Sequence, residues 1–202
     1  MYQGDFMKKY EIGLINFLDE SLEKNRIDKE VHKKIMESAG LVKKSTKPLT
    51  RAELIFNSMK VMDELLDDNI KQKVREDCAC CFSVKREKLC EKINKDYNTP
   101  EERIKAINEV DKGIIWEIEI TGKGKYKVKR FDQLEPEYPC FCLHLLKGIN
   151  QKWSNTWCYC CGGWVKYHLE ILLGKKMEVK FISSALTSMG KKRCLFELKE
   201  IE

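Results

Sequence analysis

The sequence has no long run of apolar residues. Acidic and basic side chains interrupt its first 18 positions, so we expect no secretory signal there. No window approaches the roughly 18–20 apolar residues that a membrane-spanning helix needs. We therefore expect a cytoplasmic protein with no membrane partner, whose cysteines are mostly reduced.

Signatures of well-known enzyme classes are missing as well. The sequence contains no Walker loop, no dinucleotide-binding glycine fingerprint, no HExxH and no nucleophile elbow. Its net charge of +6 comes mostly from lysines that are spread along the whole chain. Nucleic-acid-binding proteins usually concentrate lysine and arginine on one element and place aromatic residues between them. We therefore expect no nucleic-acid partner.

The overall composition indicates a globular protein. Of the 202 residues, 35% are charged and 43% are hydrophobic, which is enough apolar material for a real core. Residues 1–111 carry apolar side chains at helical spacing, and we expect four to six helices joined by short polar turns. Residues 112–202 show strand-like alternation, and the two regions are predicted to form one compact unit.

Capping residues predict several helix boundaries. Asp28 is an expected N-cap, and Gly40 is the expected end of the same helix. Thr99 followed by Pro100 predicts another helix start. These short polar signals divide the first half of the chain into separate helices.

Two longer helical stretches are predicted in the same half. Thr50 and Glu53 fit a capping box, and an apolar stripe follows on one face from Ile55 to Ile70. Residues 74–93 also have a helix-compatible pattern. Both stretches are expected to pack against the core.

The second half is predicted to contain two hairpins and one helix. Alternating patterns surround a turn at residues 121–124 and a second turn at residues 189–192. Between the hairpins we expect a helix over residues 163–173, which Gly174 ends. The predicted fold is α+β: a helical N-terminal half followed by an antiparallel sheet of two hairpins with a helix packed across it.

The ten cysteines are the clearest chemical signal. Eight of them fall into three tight groups, at positions 78–81, 140–142 and 158–161. Thiolates bind soft metals, and Cys78 and Cys81 have the two-residue gap that zinc sites favour. We predict zinc or another thiophilic metal, with ligands drawn from Cys78, Cys81, Cys140, Cys142, Cys158 and Cys160. Reduced thiols that are inert or redox-active are the open alternative.

Residues 157–164 (WCYCCGGW) combine three thiols, two glycines and two indoles. The predicted helix start places Cys160 and Cys161 at a helix N-terminus, where the helix dipole lowers the pKa of a thiol. His144 is a candidate base for such a nucleophile. Cys160, Cys161 and His144 are therefore candidate catalytic residues. A tight strand-to-helix turn with small buried cysteines is the alternative.

The same stretch also suggests a pocket for a small-molecule ligand. Glycines let a ligand approach the backbone closely, and indoles can wall an apolar pocket. His168 follows Trp164 by one helical turn. The candidate ligand-binding residues are Trp157, Gly162, Gly163, Trp164 and His168, with core packing as the alternative for the aromatic ones.

Three C-terminal segments carry a family resemblance. Residues 158–164 (CYCCGGW), 174–179 (GKKMEV) and 190–196 (GKKRCLF) resemble the C-terminal half of the 4-vinyl reductase domain superfamily. Within it, the cysteine-rich branch around L-2-amino-thiazoline-4-carboxylic acid hydrolase is the most similar. The resemblance implies a compact α+β domain that encloses a small-molecule pocket and often senses an effector.

The resemblance also bears on the metal. Some members of the superfamily bind zinc through a cysteine before the helix, an acidic residue, and two cysteines near the last strands. Cys160 and Cys194 match two of these positions, whereas Ser183 and Leu186 stand at the other two. A metal ion here is therefore expected to recruit Cys140, Cys142, Cys158 or the Cys78 group instead.

Together these patterns predict a cysteine-rich protein of sensor or binding-module type that binds a small molecule, a metal ion or both. The alternative is a cysteine-dependent hydrolase that acts on a small thiazoline-like or amide substrate. The sequence leaves open whether the protein is an enzyme. A second copy of the chain is a further candidate partner.

Overall fold

The computed structural model describes residues 13–40, 43, 45–78, 84–111, 116–130, 140 and 153–201. The helices are α1 (Gly13–Lys24), α2 (Lys29–Ala39), α3 (Pro48–Leu65), α4 (Asp68–Asp77), α5 (Val84–Asp96), α6 (Pro100–Asp111) and α7 (Asn155–Leu173). The strands are β1 (Trp116–Gly122), β2 (Lys125–Arg130), β3 (Met177–Ser183) and β4 (Leu195–Glu200). Within these ranges, no helix combines the length and the apolar character that crossing a membrane requires.

The predicted caps of α2 and α6 are confirmed. The Asp28 carboxylate accepts hydrogen bonds from the first free amides of α2, and Gly40 follows its last residue with a φ of 62°. At α6, the Thr99 hydroxyl accepts from the amide of Glu102 at 3.3 Å. The Glu102 carboxylate accepts in return from the amide of Thr99 at 3.1 Å. Both caps satisfy backbone amides that the helix leaves without a partner.

The predicted capping box at Thr50 is wrong. Helix α3 already begins at Pro48, because proline is favoured in the first turn, where its missing amide costs no hydrogen bond. The predicted stripe is also interrupted, since α3 ends at Leu65 and α4 begins at Asp68. The cause is Asp67, whose carboxylate accepts a hydrogen bond from the Ile70 amide at 2.9 Å and caps a new helix.

The helix-compatible stretch at residues 74–93 is likewise divided. Helix α4 ends at Asp77, and the amide of its C-cap, Cys78, donates to the carbonyl of Arg75 at 3.1 Å. Helix α5 then begins at Val84. Cys80 and Cys81 lie outside the described residues.

The four strands form one antiparallel sheet in the order β1-β2-β4-β3. Both predicted hairpins are confirmed, and pairing of β2 with β4 joins them. One row of the register runs across all four strands through Ile118, Val128, Phe196 and Phe181. This row lies on the apolar face, whereas Lys127 faces Glu119 and Glu197 on the opposite, charged face.

Helix α7 packs across the apolar face of the sheet, so the predicted α+β architecture is confirmed. A first core cluster joins α1–α4 to Trp153, Trp157 and Cys158 at the start of α7. A second core cluster joins α5, α6 and the sheet to the rest of α7. Each cluster thus contains residues from both halves of the chain, and α7 is the element that the two clusters share.

Side-chain amides occupy both edges of the sheet. On β1, the Asn108 side chain of α6 donates to the Ile118 carbonyl at 2.7 Å and accepts from the Ile118 amide at 2.9 Å. On β3, the Gln72 side chain of α4 donates to the Val179 carbonyl at 2.7 Å. Helices α6 and α4 are therefore fixed directly to the two edge strands.

Candidate functional site

Helix α7 contains the whole cysteine- and glycine-rich stretch. It begins after Ser154, whose hydroxyl accepts a hydrogen bond from the Thr156 amide at 3.1 Å. It ends at Gly174, as predicted, with a φ of 67°. The predicted start near Gly163 is wrong. Cysteine, glycine and aromatic residues are poor helix formers, but burial of α7 against both α4 and the sheet overrides that preference.

The early start changes the environment of Cys160 and Cys161. Counted from Asn155, they are the sixth and seventh residues of the helix, whereas the helix dipole acts mainly within the first turn. The expected activation of these thiols by a helix N-terminus is therefore wrong. Cys160 is buried, and its thiol donates to the Trp157 carbonyl at 3.2 Å.

The two glycines of α7 serve packing between elements. A Cβ added at Gly163 would lie 2.1 Å from the carbonyl oxygen of Glu76 in α4. A Cβ added at Gly162 would lie 3.3 Å from the Phe196 ring of β4. The close backbone approach that was predicted for a ligand is thus occupied at Gly163 by α4.

Cys158 meets a turn that follows β3. Its thiol donates to the Ser184 hydroxyl oxygen at 3.2 Å, and that oxygen also accepts from the Thr187 amide at 3.0 Å. The amide of the next residue, Ala185, donates to the Cys194 sulfur at 3.5 Å. Two sulfurs from α7 and from the segment before β4 therefore lie at one turn.

Cys140 acts on Cys158 through its charge, and we call Cys140, Cys158 and Cys194 the thiol cluster. The pKa of Cys158 is raised well above its ordinary value, first by burial and then by the charges of Cys194, Cys140 and Cys160. Cys158 is 5% exposed, while Cys140 and Cys194 are half-buried. The structure thus places Cys158 and Cys194 at one turn.

Cys78 lies on the other side of Cys160. Its thiol donates to the Val74 carbonyl at 3.1 Å. Burial raises the pKa of Cys78 to about 11; the Arg75 guanidinium opposes that rise, and the charge of Cys160 adds to it. Cys78 of α4 therefore lies near Cys160 of α7.

Arg75 is fully buried between α4 and the start of α7. Its guanidinium donates to the Thr156 and Trp157 carbonyls at 3.4 Å and lies 4.9 Å from the centre of the Trp157 ring. Trp157 is therefore a packing partner of a buried cation in the first core cluster. Trp164 packs against the second core cluster instead.

Trp164 and His168 line a cavity of about 20 Å³ between α5, α6, α7 and the sheet. The cavity has room for about one water molecule. Its walls are mostly aliphatic, and the polar or aromatic lining residues are Arg86, Cys90, Trp116, Trp164 and His168. The two rings lie side by side, with their centres 4.2 Å apart.

His168 is held in its neutral form. Its Nδ1–H donates to the Trp164 carbonyl at 2.8 Å. Burial lowers the pKa of His168, and the nearby Arg86 guanidinium lowers it further. At neutral pH this imidazole is therefore uncharged, with its tautomer fixed by the backbone bond.

Arg86 brings a buried ion pair to the same cavity. Its guanidinium makes two hydrogen bonds to the Asp111 carboxylate at the end of α6, and it lies 5.1 Å from the centre of the Trp164 ring. Cys90 is 1% exposed, and burial raises its pKa to about 11. Arg86 of α5 thus contacts both Asp111 of α6 and Trp164 of α7.

Three predicted site residues, Cys81, Cys142 and His144, lie outside the described residues. Within the described ranges, no three histidine, cysteine or acidic side chains stand close enough together to hold a metal ion. The seven cysteines that the structure describes are all thiols. All of them except Cys90 occupy positions that the motifs or the resemblance had marked.

Other site residues escaped the sequence reasoning. Ser184 sits in a loop without a motif, and its contact with Cys158 crosses 26 residues of sequence. Arg75 and Arg86 occur in lysine-rich helices, where a buried charge has no sequence signal. No protein-family model, no curated protein and no solved structure matches this chain.

Proposed function

We propose that this protein is a binding module of sensor type that captures a thiophilic metal ion at the thiol cluster. The observation that carries the proposal is the meeting of Cys158 and Cys194 at the turn formed by Ser184 and Ala185. The two sulfurs come from a helix and from the segment before a strand. Thiols from separate segments that meet in a buried place are a common donor arrangement for protein-bound metals.

The electrostatics of the cluster favour a cation. Burial raises the pKa of Cys158, and the nearby cysteines raise it further, because a second negative charge in a buried place is unfavourable. A bound cation reverses this effect, since it attracts each thiolate and displaces the thiol protons. Metal ion and thiolates therefore stabilise each other at this site.

The cavity beside Trp164 and His168 supports an organic ligand less well. Its volume of about 20 Å³ suits one water molecule rather than a substrate. Small-molecule sites are usually clefts of about 300–1,000 Å³. We therefore assign the binding role to the sulfurs of the thiol cluster.

The proposal requires a compartment that keeps thiols reduced. Thiols bind metals only when they are reduced, and a compartment such as the cytoplasm keeps them so. The proposal also suits the resemblance to the 4-vinyl reductase domain superfamily, some of whose members hold a metal ion beside the same helix. Here the ligands are different, because Ser183 donates to the Arg193 carbonyl at 2.8 Å instead of facing a metal.

Metal analysis of protein purified without oxygen tests the proposal. We expect about one bound ion per chain, lost in Cys158→Ser and in Cys194→Ser. Cys90→Ala is the matched control, because Cys90 is an equally buried thiol in the second core cluster. Metal-free protein that binds no added ion in any of the four forms contradicts the proposal.

A further inference from the structure

Two consecutive residues, Ser184 and Ala185, contact the sulfurs of Cys158 and Cys194. The Cys158 thiol donates to the Ser184 hydroxyl oxygen at 3.2 Å, and the Cys194 sulfur accepts from the Ala185 amide at 3.5 Å. Sulfur is a weak hydrogen-bonding atom, so a rotation about the Cα–Cβ bond of either cysteine releases it at little cost. The two contacts thus hold a pair of thiols, far apart in the sequence, at a single turn.

The backbone atoms that carry the two sulfurs are fixed independently of this turn. Cys158 belongs to α7, and the Cys194 carbonyl accepts from the Arg130 amide of β2 at 3.0 Å. Ser184 and Ala185 lie in the connection between β3 and β4, outside any helix or strand. Such a connection rearranges more readily than the elements it joins. The turn can therefore give way when the two sulfurs leave it for each other.

The two thiols differ in their access to solvent. Cys158 is 5% exposed, whereas Cys194 is half-buried and follows the exposed Lys192 by two residues. A small oxidant in solution therefore reaches Cys194 first. Oxidation of cysteine by peroxides favours accessible thiols, and the resulting sulfenic acid condenses with a neighbouring thiol. The pair combines an accessible thiol with a second one that is kept beside it in a buried place.

We propose that Cys194 and Cys158 form a peroxide-sensitive pair, in which Cys194 is oxidised first and Cys158 then closes a disulfide with it. Hydrogen peroxide transfers one oxygen atom to the Cys194 sulfur; its O–O bond breaks, an S–O bond forms, and one water molecule is released. The Cys158 sulfur next attacks the Cys194 sulfur. The S–S bond forms as the S–O bond breaks, and the departing hydroxide leaves with the Cys158 proton as a second water molecule. The two sulfurs lose two electrons in total, which the peroxide gains.

The disulfide would control the proposed metal capture. Metal ions bind the thiolate form of cysteine, and neither sulfur of a disulfide can supply it. Oxidation should therefore abolish capture at the thiol cluster, and reduction should restore it. This effect on metal binding rests on the proposed function, whereas formation of the disulfide requires no metal ion.

Peptide mapping by mass spectrometry tests the inference. Reduced, metal-free protein is treated with a small excess of hydrogen peroxide, its remaining thiols are blocked, and it is digested without reductant. We expect a peptide pair joined by Cys158 and Cys194 as the main cross-linked product. Cys161→Ser is the matched control, because Cys161 is as half-buried as Cys194 and lies on the same helix as Cys158. This variant should form the same cross-link.

Variants of the pair separate the two steps. Cys158→Ser should halt the reaction at the Cys194 sulfenic acid, which dimedone traps, whereas Cys194→Ser should leave Cys158 largely unmodified because it is buried. Equal trapping at the two positions overturns the assigned order of oxidation. Absence of the expected cross-link in the wild type, or a main cross-link to Cys140 or Cys161, overturns the pair itself.

Metal analysis of the reduced protein keeps the two proposals distinguishable. Reduced protein that binds an ion but forms no disulfide between Cys158 and Cys194 overturns this inference alone. Protein that forms the disulfide but binds no ion in its reduced state overturns metal capture and leaves the peroxide-sensitive pair standing. Oxidised protein that still binds the ion at full stoichiometry contradicts control of capture by the disulfide.

Discussion

Gly163 of α7 lies directly against the backbone of Glu76 in α4. A Cβ at position 163 would be 2.1 Å from the Glu76 carbonyl oxygen, far inside the contact distance of real side chains. Glycine therefore sets the distance between the two helices. The same contact brings the Cys78 end of α4 near Cys160.

Replacement of this glycine should destabilise the fold. We expect Gly163→Ala to lower the free energy of unfolding by about 1–3 kcal/mol or more, because backbone atoms must move apart. Gly162→Ala is the matched control, since its Cβ meets side chains rather than backbone, the Phe196 ring at 3.3 Å and Val179 at 3.6 Å. Alanine favours a helix over glycine by about 1 kcal/mol, so the control should stay close to wild type. Equal effects of the two variants in urea unfolding would show that helix spacing does not depend on position 163.

The buried pair of Arg86 and Asp111 should matter more when it is broken than when it is replaced. Asp111→Ala leaves a buried guanidinium without its carboxylate, and we expect a loss of about 3–5 kcal/mol in the free energy of unfolding. The double variant Arg86→Met with Asp111→Leu should recover much of this loss. A single-variant cost below about 1 kcal/mol, which is typical of exposed pairs, would contradict the prediction.

His168 should make stability depend on pH. Its pKa is lowered by burial and by Arg86, against opposing contributions from Glu87 and Asp111, so the unfolded chain takes up a proton at higher pH than the folded protein. The stability that comes from the neutral imidazole is complete above about pH 6.5 and is lost as the pH falls below that value. The slope for one such group reaches at most about 1.4 kcal/mol per pH unit.

Urea unfolding between about pH 7.5 and pH 5 measures this slope. His168→Gln has no titrating group at the position and should flatten it. Identical slopes for the wild type and the variant would assign the pH dependence to other groups.

Cys78 should resist alkylation in the folded protein. A thiol with a pKa of about 11 carries roughly a hundredfold less thiolate at neutral pH than an ordinary cysteine. Iodoacetamide followed by peptide mass spectrometry should label Cys78 slowly in buffer and rapidly in urea. Labelling of the folded protein at the rate of a free cysteine would disprove the prediction.

The same labelling experiment addresses the hydrolase alternative. If Cys160 or Cys161 is a nucleophile, iodoacetamide should alkylate it faster in the folded protein than in the unfolded chain near neutral pH. We expect slow labelling of Cys160, since it is buried and bonded to a backbone carbonyl. Fast, pH-independent labelling of either residue would favour an enzyme over a binding module.

Local signals predicted much of the fold. The Thr99 cap, the Gly174 end of α7 and both hairpins depend on short patterns that the sequence displays directly. The start of α7 depends instead on distant partners, because α4 and the sheet enclose a segment of poor helix formers. Pairing of β2 with β4 is equally non-local and has no short pattern.

The candidate site was predicted less well than the fold. Cys158 and Cys160 were both predicted metal ligands, but the thiol of Cys160 bonds to the Trp157 carbonyl instead of meeting Cys158 at Ser184. Ser184 meets Cys158 only after β3 has folded back along the sheet. A site made of residues far apart in sequence depends on packing that local periodicity does not encode.

The amide contacts at the two edges of the sheet bear on how the protein behaves at high concentration. Growth of a sheet between molecules begins when an incoming strand pairs with an open edge. At Ile118 and Val179 the backbone groups that such a strand needs already bond to Asn108 and Gln72. Asn108 and Gln72 thus oppose aggregation by pairing of edge strands. Loss of either side-chain amide would expose backbone groups to which a strand of another molecule can bond.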